Sequence, residues 1–431
     1  MRFFYSLPLR HCEERSDMVI PFQLCYNTFM NYIYNNTDYK NKLLERFLRY
    51  VKVWTESDGA AADRGVLPST QRQFDLARIL ESELTAMGLE QVQVTDNCYV
   101  YGYMPASSGI AVSEPVEGLE GPLANPILLL AHMDTVDEVS GKDVQPVLTA
   151  NGSDTIISSD GTTLLGGDDK AGVAAIMSAL EYITEHPEVP HCPIEVLFSP
   201  DEETGHGMDK VPLSLIKSKS AYTVDGGSEG ELECECFNAW GCEVSFTGKA
   251  CHTGDAKALG MINAGLMAGE FVSMLPHDKR PETTEGYEGF IALMEMNTSI
   301  EKATAQFLLR AFNIEEIEQE KEILQETARE IEKKYGGKVE VAFKQQYLNM
   351  KSELDKHPEV VKRLEKAYEA ADVKIIHKPI RGGTDGSRLT EMGIPTPNIF
   401  TGGHEFHSRK EWVSLNSMAK ATDVLINIVH T

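Results

Sequence analysis

With 431 residues the chain is longer than one hydrophobic core usually holds, so two domains are expected. Apolar residues make up 42% and charged residues 25%, yet 40 Lys and Arg against 66 Asp and Glu leave a formal charge of −26. That excess repels phosphate backbones and anionic lipid, which argues against nucleic acid and membrane surfaces as partners, and no run of about 18 apolar residues is present to span a bilayer. In chain order, residues 1–38 show no clear periodicity. The charges at Arg10, Glu13, Glu14 and Arg15 interrupt their apolar stretch before a secretory segment can form. A poorly structured N-terminal extension and a cytoplasmic location are expected. The eight cysteines contain no Cys-x-x-Cys pair and read as reduced, mostly buried thiols.

From residue 41, Leu43, Leu44, Phe47, Leu48 and Val51 mark one face of a helix. Pro68-Ser69-Thr70 opens a second, carrying Phe74, Ala77, Leu80, Leu84 and Met87, with Gly88 at its C-terminal cap. Ile127–Ala131 is a continuous apolar run, as in a strand buried on both faces. A helix is expected over Lys170–His186 and strands over Ile194–Phe198, Tyr222–Val224 and Ile399-Phe400. This alternation predicts an α/β domain with a mixed, largely parallel sheet, formed by residues 39–239 and 350–431. Residues 240–349 read differently, as strand, helix, strand, strand, helix, strand. That order predicts an inserted ferredoxin-like α+β lid domain.

Acidic and histidine clusters follow the apolar runs. Ile127–Ala131 leads into His132-Met133-Asp134. Ile194–Phe198 leads into Asp201-Glu202-Glu203-Thr204-Gly205. Tyr222–Val224 leads into Asp225-Gly226-Gly227, and Ile399-Phe400 leads into Gly402-Gly403-His404-Glu405-Phe406-His407. A further pair, Asp168-Asp169, stands at a helix start. Singly, each has an ordinary explanation: a satisfied core histidine, a helix cap, a solvated loop, a turn. Jointly, at the carboxyl ends of parallel strands, they would form one pocket with two histidines and at least five carboxylates. Carboxylates so close repel one another, and divalent cations reverse that cost. Imidazole with carboxylate suits zinc, manganese or cobalt.

These motifs, in this order from about Asn41 to the C-terminus, resemble the M20 family of co-catalytic zinc metallopeptidases. Arg381-Gly-Gly-Thr-Asp-Gly-Ser and Arg280-Pro-Glu-Thr-Thr-Glu-Gly-Tyr-Glu-Gly-Phe are similar to its tripeptide aminopeptidases. The resemblance implies a zinc-exopeptidase catalytic domain holding two Zn2+ per subunit, with Mn2+ or Co2+ as substitutes. His132 and Asp225 would bind one ion, Glu203 and His407 the other, and Asp168 would bridge them. Asp134 would orient His132, and Glu202 would be the general base. His252 in the lid would contact the scissile carbonyl, and Asn263 and Arg381 would hold the substrate carboxylate. A small peptide substrate is implied, with a homodimer through the lid domain. Two departures stand out: the interval from His132 to Asp168 is shorter than expected for the best-known tripeptide aminopeptidases of the family, and Ala311 stands where an acidic residue is expected. Other hydrolases of the same family remain open at this stage (dipeptidase, carboxypeptidase, N-acyl amino acid deacylase), as does a non-catalytic binding protein on the same fold.

Overall fold

A computed structural model describes residues 31–107 and 125–430. The central sheet has eight strands. Across it, in order, lie Glu90–Val94, Val100–Met104, Ile194–Ser199, Ile127–His132, Ala221–Gly226, Asn398–Phe400, Glu231–Glu233 and Ile376–His377. The four from Ile194–Ser199 to Asn398–Phe400 are mutually parallel, and antiparallel strands flank them on both sides. The sheet is mixed and parallel where it matters, because the parallel strands carry the acidic clusters at their carboxyl ends.

The continuous apolar runs follow from burial on two faces. Every residue of Ile127–His132 and of Ile194–Ser199 is buried. Ile127, Leu129 and Ala131 join the core shared with the helices Thr37–Tyr50, Gln73–Ala86, Gly167–Glu185 and Leu415–Ile428. Leu128 and Leu130 point the other way, onto Tyr99, Tyr101, Leu197, Met208 and Leu389. Each such side chain contributes roughly 1.5–3 kcal/mol by leaving water. Alternate positions therefore stabilise different layers, and no polar alternation is left in the sequence.

Of the expected N-terminal extension, residues 1–30 and with them Cys12 and Cys25 lie outside the described residues. Residues 31–38 are structured. Ile33 is fully buried, and the N–H groups of Ile33 and Tyr34 donate to the Asp423 carboxylate at 2.7 and 3.0 Å. Asn36 then caps the first helix, which begins at Thr37. A turn anchored by long-range hydrogen bonds has no periodicity to read, so residues 31–38 were placed in the extension by the sequence although they are structured.

The insertion has its own core, built from Val244, Phe246, Phe271, Phe307, Ile317, Leu324 and Ile331. Its strands Asn238–Thr247, Phe290–Thr298, Lys302–Ala311 and Lys338–Tyr347 form one antiparallel sheet, with Asn238–Thr247 between the last two. Helices Ala264–Met274 and Ile314–Tyr335 cover one face. The chain crosses between the two parts twice, at 236–238 and 347–349. There Cys236 N–H donates to Asn349 Oδ1 at 3.2 Å and Asn349 N–H donates to Asn238 Oδ1 at 2.9 Å.

A third sheet was not expected from the sequence. Gly403–His404, Trp412–Ser414, Asp154–Ser159 and Pro146–Asn151 pair antiparallel in that order. It carries the loop that bears His407. Among the described residues, no helix is long and apolar enough to cross a membrane.

Candidate active site

The parallel register sets the first part of the site. His132 ends its strand opposite Ser199, so the loop that follows Ser199 starts level with the imidazole. Asp225 lies near the end of the adjoining strand. Asp168 stands at the start of the helix Gly167–Glu185 in a non-helical conformation, φ −85° and ψ 106°. Gly166 before it is left-handed, at φ +79°, a conformation that glycine adopts without strain.

One carboxylate lies between the two histidines. Asp168 Oδ1 is 2.9 Å from His132 Nε2, and Asp168 Oδ2 is 3.3 Å from His407 Nε2. His132 Nε2 also faces Asp225 at 3.6 Å, and His407 Nε2 faces Glu203 at 3.1 Å. The result is two three-residue groups, His132/Asp168/Asp225 and Asp168/Glu203/His407, each with donor atoms within 4.8 Å of one another. The first is largely buried, whereas His407 is half-exposed.

Asp134 has no exposed surface and links the two halves. Its carboxylate accepts the N–H of Glu202 at 3.0 Å and of Glu203 at 3.3 Å. His132 Nδ1 meets the Asp134 carbonyl oxygen at 3.2 Å and the carboxylate at 3.4 Å. Both are acceptors, so a proton is held on Nδ1, and Nε2 is the nitrogen turned towards Asp168 and Asp225, where a cation would take the place of its proton. Asp201, buried and at φ +56°, ties the same loop to the helix Gln73–Ala86. It accepts from Ser69 N–H and Gln73 Nε2, both at 2.7 Å, and from the Ser69 hydroxyl.

The electrostatics are those of crowded, buried acid groups. Burial raises Glu203 to about 8, aided by the Asp168 charge and opposed by His407. Burial likewise raises Asp225 to about 6. Glu202 is pushed well above the carboxylate range by burial and by Asp225, Asp385 and Glu203, against His132. Burial lowers His132, but Asp225, Asp134 and Asp168 outweigh it and hold the imidazole well above its usual value. His407 is raised to about 11 by hydrogen bonds to Asp168 and Glu203. Burial opposes ionisation of Asp168, yet the two imidazoles hold it well below the usual range. This excess of carboxylate around two imidazoles is what divalent cations neutralise. With nitrogen and oxygen donors and no thiolate, the set fits zinc, manganese or cobalt.

Further residues complete the surroundings: Asp169, noted in the sequence only as half of an acidic pair, and Asp385 and Asn398, which were given no role there. Asp169 Oδ2 accepts His132 N–H at 3.2 Å, and its Oδ1 accepts Gly172 N–H at 3.1 Å. Asp385, raised to about 7 by burial, accepts the Ser199 hydroxyl at 2.5 Å. It belongs to the same motif as Arg381, which was the available signal. Asn398 Oδ1 accepts Asp225 N–H at 3.0 Å.

The three residues expected to contact substrate have partners within the protein. His252 is 79% exposed and accepts Gly254 N–H at 3.2 Å through Nδ1. Asn263 caps the helix Ala264–Met274 by accepting Leu266 N–H at 3.3 Å. Arg381 donates to the carbonyls of Gly286 and Glu288 at 2.8 and 2.9 Å and to Thr284 Oγ1 at 3.0 Å, clasping a lid loop. Among the described residues, none of the three is hydrogen-bonded or ion-paired to the acidic cluster.

A strand-end cluster of this kind, on a mixed sheet with a ferredoxin-like insertion, defines a class. The model of peptidase family M20/M25/M40 matches residues 128–431, and the chain belongs to that family. Among its relatives, Peptidase T of Clostridium perfringens (strain SM101 / Type A) is 44% identical over 414 residues, 90% of this chain and 98% of that protein. Peptidase T of Geobacillus sp. (strain WCH70) is 40% identical over 418 residues, with the same coverage of 90% and 98%. In three dimensions the fold is similar to a tripeptidase from Staphylococcus aureus (TM-score 0.73, 22% identity, 91% of this chain and 98% of that one). It is also similar to a dinuclear metal-binding M20 peptidase from Bacillus subtilis (TM-score 0.63, 14% identity, 92% and 98%).

Proposed function

We infer that this chain is a metal-dependent aminopeptidase that releases the N-terminal residue from tripeptides. The observation that carries the reading is Asp168, shared between two imidazole–carboxylate groups with Glu202 beside them. Full-length likeness to relatives named Peptidase T supports the tripeptide preference. His132, Asp168 and Asp225 would hold one zinc ion, and Asp168, Glu203 and His407 a second. Mn2+ or Co2+ would serve as substitutes. When bound, the ions polarise the scissile carbonyl and bring a water's pKa towards neutrality.

The chain's own residues do the rest. Asp134 presents His132 in one tautomer and holds the Glu202-Glu203 backbone. Glu202, whose backbone N–H is held by the Asp134 carboxylate beside the ligand groups, is the base; it takes the water's proton and delivers it to the leaving amine nitrogen. A lid movement that frees Arg381 would let its guanidinium take the substrate carboxylate, with Asn263 and His252 brought in from the lid. The lid's edge strand exposes Leu293, Met294 and Met296, which supports self-association through that sheet. The six cysteines among the described residues are unpaired, which supports a cytoplasmic location.

The test is hydrolysis of a free dipeptide, tripeptide and tetrapeptide and of an N-acetylated tripeptide, each with zinc and with chelator. Zinc-dependent release of the N-terminal residue, mainly from the free tripeptide, is expected. Turnover of N-blocked substrates alone would overturn the aminopeptidase reading.

A further inference from the structure

Asp168 and His407 come from distant parts of the chain, yet both must hold the second cation position. Asp168 follows Leu165 and the left-handed Gly166 at the start of the helix Gly167–Glu185. His407, itself left-handed at φ +55°, lies on the loop between the strands Gly403–His404 and Trp412–Ser414. What joins the two loops is a single carboxylate. Glu411 Oε2 accepts the N–H of Leu165 at 2.9 Å and of Gly166 at 2.8 Å, and Glu411 Oε1 accepts the N–H of Asp168 at 3.0 Å, across 243 residues of sequence. The residue is 1% exposed, and the buried Lys170 is near enough for its charge to interact with it. At its other end Glu411 N–H donates to Ser408 O at 3.3 Å, which ties it to the His407 turn.

A buried carboxylate is costly unless its hydrogen bonds need it. Here they do. The three donors belong to a helix start that is not helical: Asp168 and Asp169 depart from helical φ/ψ, so their backbone is held by something other than the helix. Contact is close. A Cβ on Gly167 would come within 2.6 Å of Val413 Cγ2 and 3.0 Å of Glu411 Oε1. The two loops thus meet through the Glu411 carboxylate and the close approach of Val413 to Gly167.

We propose that Glu411 is a positioning residue that sets the separation of His407 and Asp168 and so builds the second cation position. The inference rests on the dinuclear reading above. Glu411→Gln keeps the size but offers one acceptor oxygen, and turns an NH2 towards a remaining N–H. Glu411→Asp keeps the charge and shortens the reach.

The test is Co2+ titration of the full chain, native and both variants, by calorimetry, with electron paramagnetic resonance of the loaded proteins to read coupling between the two ions. Melting curves confirm folding. We expect the first equivalent to bind within about 3-fold of native in both variants. The second should bind about 10- to 100-fold more weakly, with the coupling reduced. If both folded variants take the second equivalent with native affinity and coupling, or lose both equivalents alike, the proposal is overturned. A native protein that takes one Co2+ overturns it as well. Native protein that takes two coupled ions yet cleaves no peptide refutes the proposed activity alone, and the variant comparison still decides the role of Glu411.

Discussion

Replacing Asp134 by Asn tests the connection between the two halves of the site. The native carboxylate accepts two backbone N–H groups, from Glu202 and Glu203, and faces His132 Nδ1 at 3.4 Å. An amide has one acceptor oxygen. It can satisfy one N–H, but its NH2 must then face the other N–H or the protonated Nδ1. One buried donor is left without a partner, which costs about 1–3 kcal/mol of folding stability. Loss of the negative charge beside His132 also removes the group that raises the basicity of its ligand nitrogen, a change that typically costs about 10- to 100-fold in metal affinity. The assay pairs denaturant unfolding of the metal-stripped protein with zinc titration and kcat/KM on a tripeptide. Asp134→Asn is expected to lose stability, zinc affinity and kcat/KM together. A variant with native unfolding and zinc affinity within about 3-fold of native would refute the argument that this carboxylate organises both halves.

The remaining predictions are narrower. Glu202→Gln should retain metal, because the carboxylate belongs to neither ligand group, while kcat falls by about 10²- to 10⁴-fold; unchanged kcat would remove Glu202 as the base. Chelation should lower the melting temperature, since zinc at one hundred times its Kd adds about 2.7 kcal/mol to the folded state; an identical melt with and without chelator would exclude a site at this cluster. Glu320 in the lid is fully buried, neither carboxylate oxygen has a partner, and burial raises it to about 9. The folded state therefore keeps a proton that the unfolded state releases, and stability falls as pH rises from about 4.5 towards 9. Glu320→Met should stabilise the protein by about 1–3 kcal/mol at pH 8 and by less at pH 5, read from unfolding at both values; an equal or negative change at pH 8 would refute it.

Much of the catalytic part was legible in the amino-acid order, for a physical reason. Strands buried on both faces must be apolar at every position, and in a parallel sheet the residues just after each such run gather at one rim. That reasoning gathers His132, Glu203 and Asp225 at one rim, while their separate roles were implied only by the family resemblance. The lid was legible in the same way, from strand and helix periods alternating over about one hundred residues. Tertiary structure alone decided what depends on distant backbone. The sheet beneath His407 is built from short or exposed strands whose pairing, Trp412–Ser414 with Asp154–Ser159, has no local signal. Residues 31–36 are ordered because Asp423 accepts their N–H groups, and Arg381 is occupied because a lid loop presents carbonyls to it. In Ser-Arg-Lys-Glu-Trp, Glu411 reads as a solvated loop residue. Its three partners are backbone N–H groups nearly two hundred and fifty positions away, and a backbone N–H carries no side-chain identity that a sequence could display.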